Sequence, residues 1–219
     1  MFYSSLNGVL FDVGKSELVE FPEGEGGSYN IPDGVCSILS EAFLSSSKLT
    51  SVTIPSSVTN IGDYAFNSCV NLSSVVLTAG ITNIGSYAFA ACSNLGSVLA
   101  LGNAPSPTND STVFSGANNA TVYYLPGATG WGTNFDGRPT LLWNPQAQTG
   151  DGNFGVRTNQ FGFNISGNTN LTIVVEACTN LVNPIWQPVQ TNTLTSGTAY
   201  FSDPQWTNYP GRFYRHRSP

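Results

Sequence analysis

Three stretches of this chain align at a period of 23 residues: VCSILSEAFLSSSKLTSVTIPSS from Val35, VTNIGDYAFNSCVNLSSVVLTAG from Val58 and ITNIGSYAFAACSNLGSVLALGN from Ile81. The columns are strictest where they are apolar. Ile38, Ile61 and Ile84 share one column, and Ala42, Ala65 and Ala88 another. Phe43, Phe66 and Phe89 align, as do Leu49, Leu72 and Leu95, and Val52, Val75 and Val98. A unit this short buries its apolar face only by stacking on its neighbours, and Leu and Val at fixed offsets in such a period mark a leucine-rich solenoid. The expected fold is mainly β: a leucine-rich-repeat solenoid of about three such repeats plus a degenerate capping repeat, followed by a small β-sandwich.

Within a unit, LTSVTIP places Leu49, Val52 and Ile54 where a short inward-facing strand needs them, and Pro55 ends it. IGDYAFNSC then predicts a Gly turn followed by about one helical turn, with Ala packed beneath Phe. The residues between the inward ones form two outward ladders, Ser51, Ser74, Ser97 and Thr53, Val76, Leu99. These six are the candidate binding residues, because the inward columns are spent on the stack. Cys69 and Cys92 share a column with Ser46 and are expected as buried free thiols filling space. Cys36 and Cys178 have no evident partners, so the cysteines define no disulfide framework.

Before the first unit, VLF and LVEF read as a hairpin. After the third, VFSGANNATVYYLP aligns Phe114 with Phe89 and Tyr123 with Val98 as a degenerate fourth unit, and Trp131, Phe135 and Trp143 are the expected lids of the open end. From Asn144 the period vanishes. The domains expected are a solenoid over 1–143, a linker over 144–153 of sequence NPQAQTGDGN, and an all-β domain over 154–219. In the last, QFGFNIS, LTIVVEAC, WQPVQTNTL, TAYFSD and RFYRHR are the strand-like runs.

The IG-x-x-AF-x-x-C-x-x-L-x-x-V pattern of these units resembles the BspA-like leucine-rich repeats of bacterial and protist surface proteins, over residues 3–125. The first unit departs from it within LSEAF, where Leu39 stands in the place of the Gly, and has Ser46 for Cys. The tail, VVEACTNL through GRFYR, resembles a C-terminal β-module attached to secreted bacterial repeat proteins. The resemblance implies extracellular or cell-surface display, binding of host proteins or other surfaces, and no catalysis. The chain enters a strand-like run at once with FYSSLNGVLF, so any export signal is expected upstream.

Only 9% of residues are charged, and the net charge of −6 with a pI near 4.5 argues against a nucleic-acid partner. Arg212, Arg215 and Arg217 crowd the end, where a last strand with polar flanks is expected. No stretch is long and apolar enough for a membrane helix. Catalysis finds poor material. His216 is the single histidine, SSSK at Ser45–Lys48 lacks the companion motifs of a Ser/Lys nucleophile, and Gly150, Gly152 and Gly155 lie in linker composition rather than a strand–loop–helix. Asp151 and Asn153 offer too few oxygens for calcium. No cofactor is expected, and the chain is expected to be a monomer. The reading is a noncatalytic adhesion or protein-recognition protein with a protein or surface-glycan ligand. The alternative puts function in the C-terminal module, as an export or anchoring tag or as a glycan binder using Trp186, Trp206 and Tyr209.

Overall fold

The computed structural model describes residues 3–106, 111–169 and 171–218, and the chain divides into two compact units, 1–141 and 142–219. The first is a stack of β-coils with two sheet faces. One face has the strand order β1 (Tyr3–Leu6), β2 (Val9–Asp12), β3 (Glu17–Glu20), β5 (Ser37–Ile38), β7 (Asn60–Ile61), β9 (Asn83–Ile84). On the other, β4 (Gly27–Asn30), β6 (Leu49–Thr53), β8 (Ser74–Leu77), β10 (Ser97–Ala100) and β11 (Thr121–Tyr124) run parallel, and the hairpin β12 (Asn134–Phe135) and β13 (Arg138–Leu142) ends the sheet. The expected solenoid is present, with more rungs than the three letter-strict units, because β4 and β11 also join the face.

Each apolar column is a wall of the core. Ile38, Ile61 and Ile84, Leu49, Leu72 and Leu95, and Val52, Val75 and Val98 are all buried. The Phe column is one continuous stack: ring centroids from Phe21 to Phe43, Phe66, Phe89 and Phe114 are 5.0, 4.7, 5.1 and 5.6 Å apart. Cys69 and Cys92 are free, buried thiols, and each S–H donates to the Phe carbonyl of the preceding coil, Phe43 O at 3.2 Å and Phe66 O at 3.1 Å. Burial pushes both thiols up to about 12, so they are thiols, not thiolates. Ser46, in the same column, is buried with no partner for its hydroxyl among the described residues.

The expected helical turn in IGDYAFNSC is absent. That segment is a string of tight turns whose alternate amides point into the next coil: Tyr64 N donates to Ser86 O, Phe66 N to Ala88 O and Ser68 N to Ala90 O, at 2.9, 2.7 and 2.8 Å. Amides given to a neighbouring coil cannot close i to i−4 bonds, so stacking replaces the helix. The alternation requires left-handed residues at regular intervals, Glu41, Tyr64 and Tyr87 at φ 65°, 57° and 58°, and Ser45, Ser68 and Ala91 at 57°, 61° and 55°.

At the far end the register differs from the expected one. Phe114 does stack on Phe89, but Val98 pairs with Val122, and Tyr123 pairs with Leu99. One residue is missing between the Phe and the strand of this last unit relative to the others, and in a strand a one-residue slip moves a side chain to the opposite face. Val122 therefore continues the inward column, and Tyr123 joins the outward ladder. Of the expected lids, Phe135 is buried in the core, and Trp131 packs on it and donates Nε1–H to Gly102 O at 3.0 Å. Trp143 falls in the second unit instead.

The second unit holds two antiparallel sheets. β16 (Gln160–Ser166) pairs along one edge with β14 (Gln146–Gln148) and β15 (Gly155–Arg157), and along the other with β19 (Thr198–Asp203). β17 (Leu171–Cys178) lies between β18 (Gln187–Leu194) and β20 (Phe213–Arg217). Phe161 and Phe201 of one sheet meet Tyr214 of the other at 5.0 and 5.4 Å, and Ile165, Leu171, Ile173 and Val175 are fully buried beside them. Residues 144–153, expected as a linker, begin with β14, and Asn144 Oδ1 accepts the Asn168 amide at 3.3 Å. Amide-rich composition reads as linker, yet an edge strand needs only backbone pairing.

Candidate functional site

The outward ladders of the parallel face are in register. Ser51 and Ser74 pair, Ser74 and Ser97 pair, and Val76 and Leu99 pair in turn with Tyr123 at the end. Thr53 and Val76 are exposed, Ser51, Ser74 and Leu99 half-buried. Ser51 Oγ donates to Ser28 Oγ at 2.7 Å, which extends the hydroxyl ladder onto β4. Ser97 departs from the expectation: it is 2% exposed, its Oγ has no partner among the described residues, and it cannot meet a ligand. The half-buried neighbours Ser74 and Thr121 flank it on the adjacent strands. Tyr123 is buried as well, so the ladder is open at Thr53 and Val76 and closes toward the end of the stack. The face is also free of charge. Between residues 64 and 135 Asp110 is the single charged residue of the sequence, whereas seven of the thirteen acidic residues lie between 12 and 41.

Two further ladders were not legible as such. Asn83 Nδ2 donates to Asn60 Oδ1 at 2.7 Å, and Asn60 Nδ2 to Ser37 Oγ at 3.0 Å. Thr82 and Thr59 hydroxyls donate to the carbonyls of Thr59 and Cys36. The repeated Thr-Asn pair of the two units is thus a polar strut between coils rather than a binding motif. Its sequence signal was the same 23-residue offset that marked the apolar columns.

In the second unit, two of the three terminal arginines are committed to one carboxylate. Glu176 is buried, with Arg215 at 2.7 Å and Arg217 at 2.6 Å. Burial pushes the Glu176 carboxyl up, but the hydrogen bonds and charges of Arg217 and Arg215 outweigh it and hold the group below its usual range. Arg212 lies 2.8 Å from the buried Asp203 carboxylate. Paired in this way, the three cations form no open basic patch. His216 faces inward, half-buried, and hydrogen-bonds the Pro145 carbonyl. Lys48 Nζ donates to Gly24 O at 3.0 Å, and Asp151 accepts from the Asn153 amide and Asn164 Nδ2. Among the described residues, no group of three or more His, Cys, Asp and Glu side chains converges on a metal-sized site.

The three aromatics of the alternative reading do not form one site. Trp186 lies under the Arg215 guanidinium at 4.4 Å, whereas Trp206 and Tyr209 line a separate cleft with Arg212.

A family model described as "BspA type Leucine rich repeat region" matches residues 22–129 in six copies. No curated protein matches the chain. Among solved structures, a leucine-rich repeat protein from Eubacterium ventriosum is 26% identical over 57% of this chain and 34% of its own, with a TM-score of 0.49. A leucine rich cell surface protein from Faecalibacterium prausnitzii is 24% identical over 59% of this chain and 40% of its own, TM-score 0.44. The leucine rich repeat protein of T. pallidum is 29% identical over 44% and 48%, TM-score 0.36. The chain thus spans between about a third and a half of the length of the solved structures it matches.

Proposed function

We propose, from the premise that through residues 22–129 the chain belongs to the BspA-type leucine-rich repeat family, that it is a noncatalytic recognition protein whose parallel strand face binds a partner protein. Adhesion at a cell surface is part of this reading, and family membership supports it. The observation that carries the binding site is the open part of the outward ladder. Thr53 and Val76 are exposed at matched positions, and half-buried Leu99 continues the row. An exposed Thr and Val with a half-buried Leu in one row, on strands without charge, suit a contact surface.

The test is binding of the labelled full chain to immobilised serum and extracellular-matrix proteins and to cultured cells. A Thr53→Ala, Val76→Ser, Leu99→Ser triple variant should keep the parental melting curve and lose at least about tenfold in affinity, the loss expected for anchors at an interface centre. Binding that survives the triple substitution in the folded protein removes the strand face as the site.

A further inference from the structure

The second unit carries a cleft of about 240 Å³ walled by Phe161, Trp206, Tyr209 and Tyr214, with Arg212 at its edge. Two adjoining hollows, reaching Gln205 and Gln187, also open onto Arg212, so three depressions meet at one guanidinium. Its surroundings are built rather than incidental. Asp203 is 1% exposed, and its carboxylate lies 2.8 Å from Arg212, accepts the Tyr214 hydroxyl at 2.8 Å and accepts the Gln205 amide at 2.9 Å. Trp206 Nε1 donates to Asn159 O at 3.2 Å, which fixes the indole, and Arg212 is held 4.4 Å above the Tyr209 ring.

We propose that this cleft is a saccharide-binding site that takes one uncharged pyranose ring. Three observations select that class. The walls are aromatic faces, half-buried at Trp206 and 37% exposed at Tyr209, and such faces stack on the apolar C–H face of a sugar. The polar group at the rim is an arginine whose charge Asp203 cancels, so the site offers hydrogen-bond donors without net attraction for an anion. The cleft is smaller than the roughly 300–1,000 Å³ of ordinary small-molecule sites, which limits it to a single ring or chain end. This site is independent of the strand-face reading: neither its residues nor its chemistry involves the repeats.

The experiment titrates the full chain with D-glucose, D-galactose, D-mannose and N-acetyl-D-glucosamine, with D-glucuronate as the charged control, followed by tryptophan fluorescence and ligand-observed NMR. At least one neutral hexose is expected to bind saturably with an affinity on the order of millimolar, the range open to a ligand of about a dozen heavy atoms. Tyr209→Ala should weaken it at least about tenfold and Tyr209→Phe should not, since the ring rather than the hydroxyl makes the platform. The Thr53, Val76, Leu99 triple variant should bind the sugar unchanged, which separates this site from the strand face. Saturation by none of the neutral sugars, binding of glucuronate alone, or unchanged binding in folded Tyr209→Ala overturns the proposal.

Discussion

A Cβ placed on Gly62 would lie 2.7 Å from the Leu39 carbonyl carbon, and one on Gly85 would lie 2.5 Å from the Asp63 amide nitrogen. Those atoms are the backbone of the preceding coil, which cannot yield without opening the stack. The Gly of the Ile-Gly pair is therefore set by the approach of coil to coil. Ala91 presents the opposite case. It sits at φ 55°, a left-handed conformation that costs an L-residue about 1–2 kcal/mol, while Gly116 occupies the matching place in the next coil at φ 79°. Gly62→Ala should thus destabilise by about 1–3 kcal/mol, as an overpacked site does. Ala91→Gly should stabilise by roughly 0.5–1 kcal/mol, since relief of the φ penalty exceeds the entropy lost in fixing a glycine. Chemical-denaturation midpoints of the two variants should move in opposite directions; movement in the same direction would mean that coil spacing and φ do not govern these positions.

At the scale of the element, the Phe stack is where burial is most concentrated. Phe66 is fully buried and touches Phe43 and Phe89 on its two sides, so Phe66→Ala removes contacts to both neighbouring coils. The expected cost is about 3–5 kcal/mol, read as a lowered and broadened thermal transition, because coils on either side of the gap no longer support each other. A sharp transition near the parental temperature would count against the stacked column. Strand β20 makes a different prediction. Burial holds His216 below its ordinary 6.5, partly offset by its bond to the Pro145 carbonyl, so the fold prefers the neutral ring. The unfolded chain takes up a proton first as pH falls. The stability of the second unit is then full above about pH 6.5 and declines below it, and His216→Gln should flatten that decline in urea midpoints measured from pH 7.5 to 5.5. The apolar columns of these elements were legible because burial selects side chains at the period of the coil. The turns were not. IGDYAF carries good helix formers beside its glycine, and only the inter-coil bonds of Tyr64, Phe66 and Ser68 show where the amides go. Tyr123 was misplaced for a related reason: one missing residue is invisible to a Phe-anchored alignment, and pairing with Leu99 fixes it. The cleft at Arg212 was legible only as the letters Trp206 and Tyr209, because Phe161 reaches it from a distant strand and the pairing of Asp203 with Arg212 leaves no pattern in the sequence.

At the scale of the whole molecule, charge is segregated along the chain. Residues 1–141 hold ten acidic and three basic residues, and residues 142–219 hold three and four. Within the first unit the acids gather before residue 64, so the strand face from Ser74 to Tyr124 has no charged neighbour in its own coils apart from Asp110 in the sequence between them. Recognition through that face must therefore come from burial of apolar side chains and from hydroxyl hydrogen bonds. Burial is little affected by salt, whereas an ionic interface loses its long-range attraction once the screening length falls to a few ångströms. Binding measured on the matrix-protein or cell-surface target of the strand face should accordingly vary by less than about twofold between roughly 0.05 and 0.5 M salt. It should weaken when Val76 is replaced by Ser and hold when Glu23 and Glu25 are replaced by Gln, since those exposed glutamates lie in the acidic segment before the repeats. A steep fall with salt that the two glutamine substitutions abolish would move the binding site from the uncharged strand face to the acidic end of the stack.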